Sequence, residues 1–332
     1  MLIFGFGLII VTLGAFGLAI YIFSFAFLFY CWPILIGIFV GLFKSYKDVY
    51  ETELDEKSGA KIHRIVENIC KRTGQRRPHK IVIKEGSELA VSGFLKKKII
   101  IGMVSLKFMN EYELETILAH EYGHFANKDT VLGYLTYRIQ HFIEVQKEIS
   151  RQNMGLNIFI VFYFPTWLLF WLFSKYYSLI SLWYSRRVEF RADAFAADLV
   201  GKQRYADTLV KYCIVSDIFE DVVPKYVLHY LNQGRAIVNL YDYIKPIYTE
   251  KNIKLAINNI LSHKSSWQST HPSISERLEM VGVKKVDLDI NMNTKPLLAN
   301  QEFYERESSR STTDKIAYWV ALSSQEQNKE QN

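Results

Sequence analysis

From Leu2 to Phe43 the chain contains no Asp, Glu, Lys, Arg, His, Asn or Gln, and every charged side chain follows that run. Wound as helix at about 1.5 Å per residue, the stretch reaches roughly 63 Å, about twice the roughly 30 Å apolar thickness of a bilayer. Two crossings therefore fit it better than one, which predicts a transmembrane hairpin over residues 1–43. A cleaved secretory leader is the alternative, and the missing basic segment ahead of the run and the run's length speak against it. One long tilted span or a re-entrant segment are the other forms it allows. No polar loop marks the turn, which length places near Tyr21 to Phe25, and Gly14, Gly17, Gly37 and Gly41 permit close helix contact.

Cysteine is scarce as well. Cys31, Cys70 and Cys213 show no paired spacing, which excludes a disulfide framework and a thiolate metal site and agrees with a reducing compartment. Internal repeats are absent. So is any nucleic-acid-binding module, although the formal charge is +6 and basic residues cluster in KRTGQRRPHK and FLKKKII. Nucleic acid is therefore excluded as a partner, and anionic lipid headgroups account for the basic surface. A hairpin returns the chain to its starting side. Lys44 and Lys47, with eleven Lys or Arg against three Glu over residues 61–98, place that side in the cytoplasm, against the acidic residues at 51–56.

The remaining 289 residues are long enough for one substantial core. Residues 52–73 have helical spacing, with Ile62, Ile65, Val66 and Ile69 on one side and Gly74 at the end. KIVIKEG and KKKIIIGMVSL read as strands. NEYE, beginning at Asn110, supplies a cap and a Glu three positions later, and so opens a helix through LAHEYGHFANKD. A second apolar region runs from Leu156 to Tyr184. Further helices are expected over Arg186–Val200, 203–217 and 222–233, and a short one in HPSISERLEMVG. Residues 235–262 are mixed, and the tail from 300 to 332 is polar and expected to be mobile except around KIAYWVAL.

His120 and His124 stand four positions apart, so a helix presents both imidazoles on one face, and Glu121 adds a carboxylate beside them. HEYGH is thus the zinc pattern H-E-x-x-H, and Gly123 leaves that stretch of helix unobstructed. A catalytic zinc needs a third protein ligand and an open position for water. EFRAD offers one: Glu189 is assigned as third ligand, and Asp193, on the same face, as the carboxylate that orients a ligand histidine. Ion pairing with Arg186, Arg187 or Arg191 is the alternative for these acids, but Val188, Phe190, Ala192, Phe195 and Ala196 argue against an exposed helix.

LAHEYGH, EFRADAFAADLVG and HPSISERLEMVG together resemble the HtpX-like family of membrane zinc endopeptidases and, more widely, the CaaX prenyl-protein proteases. The resemblance covers about residues 80–130, 186–201 and 270–282. It implies a membrane-anchored α+β zincin, mostly helical and gluzincin-like, with a small edge sheet. It also implies one Zn2+ per chain held by His120, His124 and Glu189, with Glu121 activating water and Asp193 supporting the site. His271 and Arg277 match the family's later His-Pro and Glu-Arg motif. His271 would donate to a developing oxyanion, and Arg277 would pair with a site carboxylate or anchor its loop. VSGFLKKKIIIG is similar to the strand bordering the family's cleft, with Ser92 and Gly93 in place of its usual Asn-Ala pair. Asp129 matches an acidic position, for which a helix-end hydrogen bond is the expected role. His63, His79, His141, His229 and His263 have no comparable setting.

The expected function is zinc-dependent endopeptidase action on membrane-associated or misfolded polypeptides, with the lipid bilayer as a second partner. A zinc-containing membrane scaffold or chaperone that binds polypeptide without cutting it is the alternative, and Glu121 speaks against it because metal binding alone needs no carboxylate there. The metalloprotease domain is expected over residues 44–299. Since His120 and Glu189 must meet, the chain between them cannot cross a bilayer an odd number of times. The 29 residues of Leu156–Tyr184 fall short of the about 40 that two full crossings need. A bent or tilted hairpin around Pro165, or an interfacial helical lobe, satisfies both conditions, as does an even-numbered hairpin that also uses 130–155.

Overall fold

The computed structural model describes residues 51–92, 96–127, 143, 144, 147, 151, 160–235, 237–262, 271–288, 292 and 294–330. The expected hairpin over residues 1–43, and Gly93, Asp129, His141 and His263, lie outside them. No helix among the described residues is long and apolar enough to cross a membrane. The chain divides into two compact units, Met1–Lys47 with Leu135–Ser178, and Asp48–Tyr134 with Leu179–Asn332.

The second unit is built on a four-stranded sheet of order β1-β2-β4-β3, formed by β1 (Thr52–Glu53), β2 (Lys80–Lys84), β3 (Leu89–Ser92) and β4 (Lys98–Gly102). The central strands β2 and β4 run parallel, and their uninterrupted apolar stretches, Ile81–Val82–Ile83 and Ile99–Ile100–Ile101, are buried on both faces. β3 pairs antiparallel with β4 and forms one edge of the sheet. Helix α1 (Ala60–Thr73) packs Ile62, Ile65, Val66 and Ile69 into the core and stops at Gly74, whose φ of 68° suits a residue without Cβ.

Two sequence expectations change here. The helix read from residue 52 begins only at Ala60, because Thr52 and Glu53 pair with Ile83 and Val82 instead. The strand read through KKKIIIGMVSL ends at Gly102. A Cβ on Gly102 would come within 2.5 Å of the Gly86 carbonyl oxygen, and the close approach of that turn ends the ladder. Met103–Phe108 then forms the short helix α2, buried nearly all round. A short apolar run with both faces buried carries no periodicity to separate strand from helix.

Helix α3 (Glu111–Ala126) opens as its cap requires. Asn110 Oδ1 accepts from the amides of Tyr112 at 2.9 Å and Glu113 at 3.0 Å, while Glu113 Oε2 accepts from the Asn110 amide at 2.8 Å. Helix α4 (Ile160–Val200) passes through Pro165 without turning back, so no hairpin forms there. In the first unit it exposes Phe164, Leu168, Leu169, Leu172 and Tyr176, and Trp167 stacks on Trp171. Its later residues enter the second unit and end at Gly201, whose φ of 97° opens the way to α5 (Lys202–Asn232). The two helices expected over 203–233 are one, because Ile218, Phe219, Val223 and Val227 continue the buried face past Pro224.

The mixed region resolves into α6 (Leu240–Ile244), a 3-10 turn and α7 (Glu250–Ser262), followed by α8 (Ile274–Val281). Ser273 and Glu276 cap α8 reciprocally, and Gly282 closes it at φ 82°. The polar tail departs most from expectation: Gln301–Glu330 is helix α9. Its anchors are polar, which hydropathy does not register. Lys107 Nζ reaches Glu305 at 2.9 Å and Asp242 at 2.6 Å, Ser309 Oγ accepts from the Leu240 amide at 2.8 Å, and Tyr304 is buried beside them.

Candidate active site

Small residues let α3 and α4 meet. A Cβ on Gly123 would lie 2.8 Å from Ala192 Cα, closer than such atoms approach, so only glycine permits the contact. Ala119, Ala196 and Ala197 are buried in one cluster beside this contact. The meeting brings HEYGH against EFRAD. One ligand atom each from His120, His124 and Glu189 then lie within 4.8 Å of one another.

Within this group His120 Nε2 is 3.5 Å from Glu189 Oε2. Ligand atoms around a tetrahedral ion with bonds of about 2.1 Å stand about 3.4 Å apart, so the spacing suits a small cation. The other ring nitrogen, His120 Nδ1, lies 3.1 Å from Asp193 Oδ1, close but without the alignment of a full hydrogen bond. A carboxylate on one nitrogen fixes the tautomer and frees the other for a metal. Asp193 is fully buried and held bidentately by Arg277, with Nε to Oδ2 at 2.9 Å and Nη2 to Oδ1 at 2.6 Å. The same guanidinium stands 3.5 Å from Glu189 Oε2. Glu121, Glu189 and Asp193 outnumber Arg277 among the buried side chains, and a dication at His120, His124 and Glu189 would compensate the excess of negative charge. The donor set and its charge therefore fit a metal.

The electrostatics follow from burial and these contacts. Burial is the largest influence on Glu121 and lifts its carboxyl to about 7, against the pull of His120 and the edge-strand amide of Val91. Burial would raise Glu189 too, but hydrogen bonds with His120 and His271 and the charge of Arg277 hold it well below the usual carboxylate range. His124 is pushed down to about 4, first by burial and then by the charge of His120. Burial would also depress His120, yet Asp193 and Glu189 together raise it to about 9 in the metal-free protein.

His271, at the start of the segment leading into α8, places Nδ1 3.2 Å from Glu189 Oε1 while most of its side chain stays exposed. Capping of α8 sets that position, because Ser273 and Glu276 fix the turn and Arg186 Nη2 donates to Glu276 at 2.6 Å. Ser92 ends β3. His63 Nε2 lies 3.2 Å from the Leu54 carbonyl, and His229 contacts Gln233, both away from the site.

Two residues here drew no attention in the sequence. Tyr205, fully buried, donates to Asp193 Oδ1, accepts from Arg277 Nη2 at 3.1 Å and stacks on His120 at 6.3 Å. Tyr212 donates to the Ser87 carbonyl at 2.9 Å and lines the cavity of about 280 Å³ that holds His120, Glu121, His124 and Glu189. Both sit in a helix rich in core residues, where a tyrosine carries no motif. Leu89, Tyr212 and His271 also border an adjoining groove of about 1180 Å³, along which lie Glu88, Asp217 and Glu220.

The profile of Peptidase family M48 matches residues 56–282. Among curated relatives, Protease HtpX of Haemophilus influenzae (strain PittEE) is 35% identical over 109 residues, 30% of this chain and 38% of that protein. Protease HtpX of Acinetobacter baumannii (strain AYE) is 30% identical over 155 residues, covering 42% and 50% respectively. The chain thus spans half or less of the length of these relatives. The crystal structure of S. mikatae Ste24p is similar with a TM-score of 0.43 at 17% identity, covering 78% of this chain and 58% of that one.

Proposed function

Because the chain belongs to peptidase family M48, we propose that it is a zinc-dependent endopeptidase in which His120, His124 and Glu189 hold the ion and Glu121 is the general base. The observation that carries this reading is the convergence of three ligand atoms within 4.8 Å in the cavity that also contains Glu121. A bound zinc ion supplies a Lewis acid for a peptide carbonyl and for water.

The side chains supply the rest. A carboxyl near 7 in the metal-free protein is lowered by a dication beside it, so Glu121 is ionised at neutral pH and ready to accept the proton of the attacking water. It then passes a proton to the departing amine. His271, mostly exposed at the cavity mouth, is placed to donate to the oxygen that gains negative charge. Arg277 and Tyr205 keep Asp193 fixed against His120, which orients the imidazole. β3 lies at the sheet edge with Leu89 on the cavity, where an extended peptide would add as a further strand and continue into the adjoining groove.

The substrates in this reading are polypeptides at or near a membrane, including misfolded ones. Support comes from the uncharged run Leu2–Phe43 and from the exposed Phe, Trp and Leu side chains of α4. The test is casein cleavage by the full chain with and without chelator, beside Glu121→Gln. Loss of cleavage in both, with zinc retained by the variant, supports the reading. Cleavage by the variant at the original rate removes Glu121 as base.

A further inference from the structure

The chemistry above leaves unused the two basic runs KRTGQRRPHK and FLKKKII. The fold sets them side by side. The first leaves α1 through the turn at Gly74, the second enters β4, and the His79 amide donates to the Lys97 carbonyl at 2.7 Å. Arg76, Arg77, His79, Lys96 and Lys97 then line a cleft of about 650 Å³ floored by Phe125.

Among the described residues no carboxylate lines this cleft. Glu67 reaches Arg77 at 2.6 Å from outside it and is shared with Lys71 at 3.1 Å. Arg76, His79, Lys96 and Lys97 have no ion pair among the described residues, whereas cations elsewhere in the same unit do: Lys98 with Glu51, Lys211 with Glu113, Arg204 with Glu115. The Lys97 ammonium lies 4.4 Å over the Phe125 ring, a contact that orients the charge without neutralising it. Partial burial pushes this amine below its ordinary value, as expected of a cation short of compensating charge.

We propose that this cleft binds a phosphate group. Several cations converge on one concave space, the Arg76 fork has no ion pair among the described residues, and guanidinium forks pair bidentately with phosphate oxygens, whose multiple charge suits such a cluster better than a halide or a single carboxylate does. The volume leaves room for the group that carries the phosphate. That group is a lipid headgroup if the ligand comes from a membrane, and is absent or small if the ligand is a free phosphate.

The test uses the full chain in an uncharged detergent and follows binding by titration calorimetry with three probes: inorganic phosphate, a soluble short-chain phosphatidylglycerol and polyaspartate. The comparison protein carries Arg76→Gln and Lys96→Gln, both at exposed positions, and its thermal unfolding and metal content are checked against the parent. Binding of a phosphate probe that weakens at least about tenfold in the variant, with folding and metal unchanged, supports the site. Tighter binding of the lipid than of inorganic phosphate then assigns a headgroup, and the reverse assigns free phosphate. Absence of binding by both phosphate probes, equal affinity in the variant, or polyaspartate binding as tightly as the better phosphate probe overturns the proposal.

Discussion

The cleft at Arg76 and Lys96 and the cavity at His120 both concentrate charge within one unit, yet they handle it differently. Around His120 the charges are buried and paired, Asp193 with Arg277 and Glu189 with Arg277 and His271, and their remaining negative excess is what a dication would compensate. In the cleft the cations stand partly in water and, among the described residues, have no carboxylate with them. Water screens the second set, so the fold tolerates its imbalance and leaves it for a ligand. The first set has no such screen, and each buried charge must find a partner inside the protein. Substitutions at the paired charges of the cavity, Asp193 and Arg277 above all, should therefore damage fold and metal binding together, while substitutions at the cleft should damage only binding.

The largest effect expected is on turnover. Glu121→Gln should lower kcat by about 10²–10⁴ while zinc content stays at the parental level, measured by peptide cleavage beside metal analysis. Next comes Asp193→Asn, which leaves the Arg277 guanidinium buried without its bidentate partner. Breaking a buried pair costs about 3–5 kcal/mol, so denaturant unfolding should show a loss of that size. Gly123→Ala should follow, since its methyl would meet Ala192 Cα at 2.8 Å and part the two helices. Overpacking of this kind costs about 1–3 kcal/mol, and because it displaces Glu189 from the histidines it should also weaken zinc affinity in a competition titration. The smallest effect belongs to the cleft: Arg76→Gln with Lys96→Gln should shift unfolding by no more than about 0.5 kcal/mol. A larger loss there would erase the contrast between the two regions.

Several parts of this arrangement were readable from residues alone. The cap at Asn110 and the spacing of His120 and His124 are local, so both the helix and the shared face follow from sequence. What joins α3 to α4 is not local. The contact of Gly123 with Ala192 appears only when two segments 69 positions apart meet, and either residue by itself reads as an ordinary small core position. Tyr205 is hidden for the same reason, since its role depends on Asp193 and Arg277 arriving from other helices. The tail shows a different limit. Helix α9 is held by Glu305, Ser308 and Ser309 through hydrogen bonds, and a scan for apolar periodicity finds little there to predict order. The two basic runs were visible as composition, but their convergence over Phe125 required the pairing of β2 with β4.

The central claim is that two imidazoles and one carboxylate, drawn from helices far apart in the chain, hold the metal. X-ray absorption at the zinc edge of the loaded full chain tests it most directly. The account predicts nitrogen and oxygen neighbours at about 2.0–2.2 Å with the outer-shell signature of two imidazoles, and a loss of the oxygen contribution in Glu189→Ala. Sulfur at about 2.3 Å, or a spectrum that Glu189→Ala leaves unchanged, would contradict it.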